Sequence, residues 1–535
     1  MMPDLLGLIS GAFKSGGKDV NHSRFTTHRM SLSVLLSAIA LSCGSSFAQQ
    51  ESPSMPKAQQ VPLSGRSQGG GGVQAQQSSS SNGGGASVDT VNSTIQVSGA
   101  YRGSVPDPNP PQGPLTLNIA DAIQRGLRFN LGSVSANASA GQLRGARLAA
   151  LSQMLPNIYG TMSESVEKID LQAQGLSAGV FGAMPLPTTV GPFHYYSALA
   201  NVSENLSMTS LYNLRQARAS AGAAEMSAED ARELIILAVG GTYLQVLATK
   251  ANVLSQEAQV KQAGATFKQA ADRHEAGTIP VIDRNRDFVE FHTEQERLIS
   301  LRADLVKQTM ELARLIGLPV SQGLTLSEDL PDQVVEAFPI EESVKIAIEN
   351  RSDLKAARLQ LKAAQEAHRA SKAESLPSFG VSGDYGVEGI NPNKGASVFQ
   401  ASATLTIPIF QSGRVKADVE QADAALSLRQ AEYADQQGVV ELDVREAYED
   451  FQVATEQIVV AAENRRVAAE TLTQSLDRFT AGVTNSVEVV QSQEIVASAE
   501  RDYVSSLFSL NLARVSLARA TGQAEQFIPN MLKGK

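Results

Sequence analysis

The feature that most constrains this chain is a long internal repeat. Residues 216–317 align with residues 421–522 without a gap, at a constant offset of 205. Gln216 falls on Gln421, Tyr243 on Tyr448, Arg273 on Arg478, Gly277 on Gly482, Arg314 on Arg519 and Gly317 on Gly522. The absence of any insertion requires equal element lengths in the two copies. Upstream the offset becomes 221, which pairs Leu155 and Pro156 with Leu376 and Pro377. The first copy therefore carries 16 more residues between Pro156 and Gln216, and these read as loop.

Each copy reads in the same order. A helix over about 117–152, or 340–374, stops at Leu-Pro, because proline cannot continue the hydrogen-bond ladder and restrains the residue before it. The period then changes to two. Phe379, Val381, Gly383, Tyr385 and Val387 alternate with Ser378, Gly380, Ser382 and Asp384, and Phe399 to Ile409 alternate likewise with Gln400, Ser402, Thr404 and Thr406. Such alternation predicts strands with one apolar and one polar face. In the first copy the strands fall near 157–168 and 194–208. A helix of about 65 residues follows, then a tight turn at Gly277 or Gly482, then a return helix of about 35. The outgoing helix would be on the order of 100 Å long. Its apolar spacing of three and four supplies a coiled-coil-like seam to partner helices.

Composition agrees with long helices rather than spherical cores. Aromatic residues make up 5% of the chain and Trp is absent, so Ala and small aliphatics carry the packing. A net charge of -10 argues against binding a phosphate backbone, so nucleic acid is not expected as a partner. With Cys43 as the single cysteine and six scattered histidines, neither a disulfide framework nor a metal site is expected, and no cofactor motif is present.

Residues 1–48 read as a secretory signal peptide. The apolar stretch Met30 to Cys43 follows Lys14, Lys18, Arg24 and Arg29, and Ser46, Phe47 and Ala48 form a small-x-small cleavage pattern. Lipidation at Cys43 is the alternative, but Ala40, Leu41 and Ser42 fit a lipobox poorly. Residues 49–114, rich in Gln, Ser, Gly and Pro, read as a disordered leader. Residues 115–317 form the first repeat, 318–339 an inter-repeat segment, 340–522 the second repeat and 523–535 a tail. No uninterrupted apolar run after the signal predicts a membrane-spanning helix.

The strands point to a membrane all the same. Each is near the length a tilted strand needs to cross a bilayer, with an apolar face suited to lipid. Four strands are too few to close a barrel, and open edges in lipid would leave backbone groups unpaired. Several chains must then share one barrel.

Three motifs carry a family resemblance. They are Leu115, Thr116 and Leu117 with Ala120, Ala122 and Ile123; Leu405, Thr406, Ile407, Pro408, Ile409 and Phe410 running into Gly413 and Arg414; and Arg478, Phe479, Ala481 and Gly482 followed by Val487, Glu488 and Val489. In this order and spacing they resemble TolC-like outer-membrane efflux proteins over residues 115 to about 525. The resemblance implies a mainly α fold with a membrane β-barrel portion, built as a homotrimer whose twelve-stranded barrel continues into an α-helical periplasmic tunnel. It implies outer-membrane lipid around the barrel, a periplasmic adaptor and an inner-membrane transporter as partners, and passive conduction without enzymatic chemistry. The segments around 318–339 and after Gly522 would form a belt around the tunnel.

The same resemblance makes the helical turns the functional end. Arg273, Ala276, Gly277, Arg478, Ala481 and Gly482 would be adaptor-docking turns, and Asp283, Glu488 and Gln491 would line the periplasmic entrance. Asp283 matches the aspartate of a family tie, but the usual tyrosine and arginine partners fall at Phe479 and Thr484. Glu488 matches one gate acid, and Gln491 stands where the family has a second. Three copies of Glu488 around a narrow axis would attract cations. A simpler role is open to both acids: Asn485 with Glu488 spells a capping box, and Asp283 suits a helix N-terminus.

Two motifs are decoys. Gly175, Leu176, Ser177, Ala178 and Gly179 spell a hydrolase elbow but lie between two strands, away from a strand-to-helix turn. His274 and Glu275 lack the second histidine of a zinc-protease helix. A periplasmic structural or adaptor coiled coil without a pore would share the signal and the long helices, but has no use for membrane-length strands in both copies.

Overall fold

The computed structural model describes residues 72–79, 91–170, 189–332, 339–484 and 486–531. The signal peptide, Cys43 and the Gly175–Gly179 motif lie outside them. The first repeat holds α1 (Ile119–Phe129), α2 (Leu131–Ser152), β4 (Asn157–Asp170), β5 (Thr189–Leu206), α3 (Met208–Glu275) and α4 (Val281–Leu315). Before it come β1 (Val73–Ser79), β2 (Val91–Val97) and β3 (Leu115–Leu117), and after it β6 (Leu324–Leu326). The second repeat holds α5 (Ile340–Asn350), α6 (Ser352–Ala373), β7 (Ser378–Gly389), β8 (Ala396–Thr406), α7 (Arg414–Thr480) and α8 (Ser486–Ala520), and α9 (Ala524–Met531) follows.

The two outgoing helices have 68 and 67 residues and both return helices have 35, as the gap-free offset requires. The helix before each strand hairpin is broken, where the sequence reads one continuous helix. Its breaks fall at Asn130 and Arg351, which are equivalent at the offset of 221. Both take extended ψ values, 134° and 125°, and both are buried, at 0% and 3% exposure. The Asn130 side chain accepts from the Gly132 N–H at 2.8 Å and donates to the Tyr101 carbonyl at 2.7 Å. Arg351 is held by Asp353 at 2.6 Å and Asp443 at 2.9 Å. The Asn130 carboxamide satisfies backbone groups at the first break and the ion pairs of Arg351 fix the second, so each break stands without proline or glycine at the break residue.

The strands β4, β5, β7 and β8 form one antiparallel sheet in that order. The pairing of Val202 with Gly383 and Gly383 with Ala401 fixes the register, and a single face then carries Ile158, Met162, Val202, Phe379, Val381, Tyr385, Phe399 and Leu405. Met162 is 89% exposed and Phe399 74%. An apolar face of this extent on a four-stranded sheet needs cover. The opposite face carries a polar network: Ser163 to Ser197 at 2.8 Å, Ser382 to Ser402 at 2.7 Å, and Asn201 to Thr161 at 3.0 Å. Among the described residues, β4 and β8 each have one edge unpaired.

The first hairpin is the taller one. Its strands have 14 and 18 residues against 12 and 11, and β5 meets the end of β7 at Tyr196 with Gly389. The 16-residue surplus is therefore only partly loop, and part of it lengthens the strands. Strand β8 stops at Thr406, short of Ile409, because Pro408 has no N–H to donate.

The leader departs from the flexible chain that its composition predicts. Strands β1 and β2 pair antiparallel, a 3-10 turn spans Gly99–Arg102, and Val73 and Tyr101 are buried at 2% and 3% exposure. They join a core built on the middle of α3, with Ile235, Ile236, Val239 and Leu244 from α3, Leu117, Ile119, Leu312 and Ile316 from the first repeat, and Phe508, Leu512 and Val515 from α8. Tyr243 is completely buried there and its hydroxyl donates to Glu328 at 2.7 Å, while Glu328 also accepts from the Ile119 N–H at 3.0 Å and so caps α1. Strands β3 and β6 pair in parallel beside it, which ties the start of the first repeat to the inter-repeat segment. Within α3 one 18-residue window, with mean hydropathy 1.5, is long and apolar enough to cross a membrane. Its 78% burial inside the protein assigns it to this core.

Candidate functional site at the helical turns

Both long hairpins end in the same backbone device. At the first turn the Gly277 N–H bonds the His274 carbonyl at 2.9 Å and the Thr278 N–H bonds the Arg273 carbonyl at 3.0 Å. At the second, Gly482 bonds Phe479 at 3.1 Å and Val483 bonds Arg478 at 3.0 Å. This is the Schellman pattern, which satisfies the last helical carbonyls when the following residue is left-handed. Gly277 and Gly482 both sit at φ 74°. Among the described residues, and apart from each glycine's own chain neighbours, no atom lies within 4 Å of where a Cβ would be added at either position, so the glycines serve backbone conformation and leave open surface around them.

The side chains at the turns differ although the backbones match. Arg478 bonds Glu488 at 2.8 Å across the second turn, and the Thr484 hydroxyl bonds the other oxygen of Glu488. Asp283 instead pairs with Arg286 on its own helix at 3.0 Å. Arg273 lies 4.7 Å from the centroid of the Phe479 ring, which is buried at 4% exposure. A guanidinium over a shielded ring is an attraction of about 1 kcal/mol or more. It links the first hairpin's end to the second's.

The expected entrance residues are thus placed as follows. Glu488 and Asp283 are half-buried in separate ion pairs, and Gln491 is exposed. The family tie from Asp283 to positions 479 and 484 is replaced, because Phe479 takes Arg273 and Thr484 takes Glu488. The capping box rests on Asn485, which lies outside the described residues. Ala276 and Ala481 are the capping residues of α3 and α7, exposed beside the glycines.

Behind the first turn lies a row of acids that sequence reading missed. Asp283, Asp287, Glu290 and Glu294 follow one another on α4 by four, three and four residues, which places them on one helical face. Asp287 is 2% exposed and neither carboxylate oxygen has a hydrogen-bond partner. Burial, then the neighbouring Asp283, pushes its pKa up to about 6. Burial and the acids Glu294 and Glu494 push Glu290 up to about 7. The repeat shows why Asp287 is stranded. Its equivalent is Ser492, which bonds Ser475 at 2.8 Å, but the position equivalent to Ser475 holds Ala270, which has no donor. The signal was in the sequence, as a carboxylate replacing a serine at a helical contact.

Among the described residues no group of three or more His, Cys, Asp or Glu is arranged to hold a metal ion. The arrangement offers two exposed turns with open surface around them and a row of acids along one face of α4.

Comparison with known proteins agrees with this geometry. Residues 344–523 match the model of a family described as outer membrane efflux protein. The chain is 25% identical over 242 residues to the pyoverdine export outer membrane protein OpmQ of Pseudomonas putida; the match covers 42% of this chain and about half, 49%, of that relative's length. Among solved structures, the Campylobacter jejuni outer membrane channel CmeC superposes with a TM-score of 0.65 at 14% identity, covering 78% of this chain and 88% of the other. The outer membrane protein VceC of Vibrio cholerae gives 0.64 at 17% identity, covering 76% and 96%. The repeated strand and helix hairpins, the membrane-suited sheet and these matches together identify residues 344–523 as outer membrane efflux protein sequence and give the chain the fold of such channels over 76–78% of its length.

Proposed function

We propose that this chain is the outer-membrane channel subunit of a tripartite efflux or type I secretion system, and that it conducts substrate passively from an inner-membrane transporter and a periplasmic adaptor to the outside. The observation that carries the reading is the sheet β4-β5-β7-β8, apolar on one face, polar on the other and open at both edges. In lipid such edges must be paired, and only neighbouring copies offer matching edges. TolC-like channels are trimeric components of tripartite efflux. Three copies here would close twelve strands into one barrel, polar side inward, with the long hairpins below as the periplasmic tunnel.

In this reading Arg273, Ala276, Gly277, Arg478, Ala481 and Gly482 form the surface that meets the adaptor, and Asp283, Glu488 and Gln491 face the entrance. The equal lengths of α3 with α7 and of α4 with α8 support a common level for the six turns of a trimer. Crosslinking from cysteines placed at Thr278 and Val483 in cells tests the reading. Capture of a periplasmic adaptor together with an inner-membrane pump is expected, and recovery of the protein from the soluble periplasm without either would contradict it. Pyoverdine, which the matched relative is named for exporting, is the first cargo to test.

A further inference from the structure

Among the described residues the leader hairpin has no counterpart beside the second repeat. Its inward face is Val73, Ala75, Ile95 and Val97, set opposite one another by the pairing of Val73 with Val97 and Ala75 with Ile95. Gln74 and Gln96 between them are exposed. Ser98 closes the open end of the hairpin: its N–H bonds the Gly72 carbonyl at 3.0 Å and its hydroxyl accepts from the Gly72 N–H at 2.8 Å. The inward face packs on α3 and α8, which belong to different repeats.

Ile95, half-buried, makes a close approach to the backbone of α3 at Gly241. A Cβ added to Gly241 would stand 2.2 Å from Ile95 Cδ1, 3.2 Å from Leu512 Cδ1 and 3.4 Å from Ile95 Cβ. The isoleucine therefore fills the space that any other residue at 241 would take, and touches the seam between α3 and α8. Glycine in a helix interior costs about 1 kcal/mol relative to alanine, so Gly240 and Gly241 in the middle of α3 need a reason.

The second repeat shows what the same positions look like without a strap. At the offset of 205 Gly240 and Gly241 become Arg445 and Glu446, and Leu512 of α8 corresponds to Lys307 of α4. Leu512 is 1% exposed, whereas the Lys307 side chain is 73% exposed. Both walls of the groove have diverged from their repeat partners toward accepting an apolar side chain, and only where the leader lies.

We infer that the β1–β2 hairpin is a built-in clip that pins the middle of α3 of the first repeat to the C-terminal half of α8 of the second. It stays docked while the channel works. Because Ile95 sits in a slot shared by both helices, α8 cannot slide along α3 without expelling it, and displacement of one helical hairpin against the other is confined to the far ends. The clip itself stands without the channel reading, and its consequence for the entrance rests on that reading.

The test therefore has one arm on the purified full chain and one in cells. Ile95→Asp places a carboxylate in the apolar slot and should undock the clip. Amide hydrogen exchange in α3 around Gly241 and in α8 around Leu512 is expected to rise at least tenfold, with Ile95→Ala giving a smaller rise should the aspartate variant fold poorly. Unchanged exchange in both helices, with only the hairpin becoming mobile, would overturn the clip whatever the protein transports. In cells, the pair Ile95→Cys with Gly241→Cys has its Cβ atoms at the lower edge of disulfide range. Oxidation is expected to crosslink it and leave export and outer-membrane tightness as in the parent. Export lost on oxidation and restored by a reductant would show that the hairpin must leave for transport, and would overturn the claim that it stays docked.

Discussion

The guanidinium of Arg273, at the end of the first helical hairpin, lies 4.7 Å from the ring centroid of Phe479 at the end of the second. The two residues stand one position apart in the repeat, since the equivalent of Arg273 is Arg478 and that of Phe479 is His274. The duplication has thus been turned into a contact between its own copies. Phe479→Ala removes both the buried ring and the cation's partner, a local loss of roughly 2–4 kcal/mol. Protease cleavage at the two turns of the purified protein should accelerate by about thirtyfold or more, while Phe479→Tyr, which keeps a ring, should stay near the parent rate.

Asp287 should make the first helical hairpin less stable as pH rises. Its folded-state pKa, about 6, lies above the ordinary aspartate value of 3.8, so the folded protein holds a proton that the unfolded chain has released. Stability then falls between about pH 4 and 6 and stays low above that window. Asp287→Asn removes the dependence and should raise stability at neutral pH by on the order of 1–3 kcal/mol. Thermal unfolding followed from pH 4 to 8 checks it: the gap between variant and parent should open over that window and vanish at its acid end. Ala270→Ser, which restores the donor found at Ser475, should narrow the gap.

Arg351 holds the break between α5 and α6 in place. It is 3% exposed and bonds Asp353 and Asp443, and Asp443 lies 3.9 Å from Arg519, which in turn bonds Asp230 of α3 at 2.9 Å. Removing one partner of a buried pair leaves an uncompensated charge, at a cost of about 3–5 kcal/mol. Arg351→Met should lower the unfolding temperature accordingly, and Arg445→Met, on an exposed pair, should leave it within about a degree or two.

Gly277→Ala and Gly482→Ala should each cost only about 1–2 kcal/mol, because the penalty is the left-handed backbone and nothing crowds the new methyl. Asparagine at either position should cost less than alanine. Comparison of unfolding temperatures for the four single variants distinguishes this from a packing role, in which the larger side chain would be worse.

Periodicity and a gap-free offset make the strands, the long helices and their turns legible in the residues alone. They do not reveal the breaks at Asn130 and Arg351, because apolar spacing continues through both and each break depends in part on a residue far along the chain, Tyr101 for Asn130 and Asp443 for Arg351. The leader hairpin is hidden by its composition: Val73, Ala75, Ile95 and Val97 are too few among Gln and Ser to register as strands, and their partners lie on α3 and α8. At the turns, the residue types of Arg478, Glu488 and Phe479 are readable. Their pairings are not, since Arg478 reaches Glu488 across ten residues and a reversal, and Arg273 reaches Phe479 across the whole repeat.

Everything proposed for the channel depends on copies of this chain completing one another's barrel. The most direct measurement is the native mass of the protein extracted from outer membranes in mild detergent, compared with 56.7 kDa for one chain of 535 residues. A complex of three mature chains is the expected result. A protein recovered only as single chains, with β4 and β8 unpaired, would contradict it.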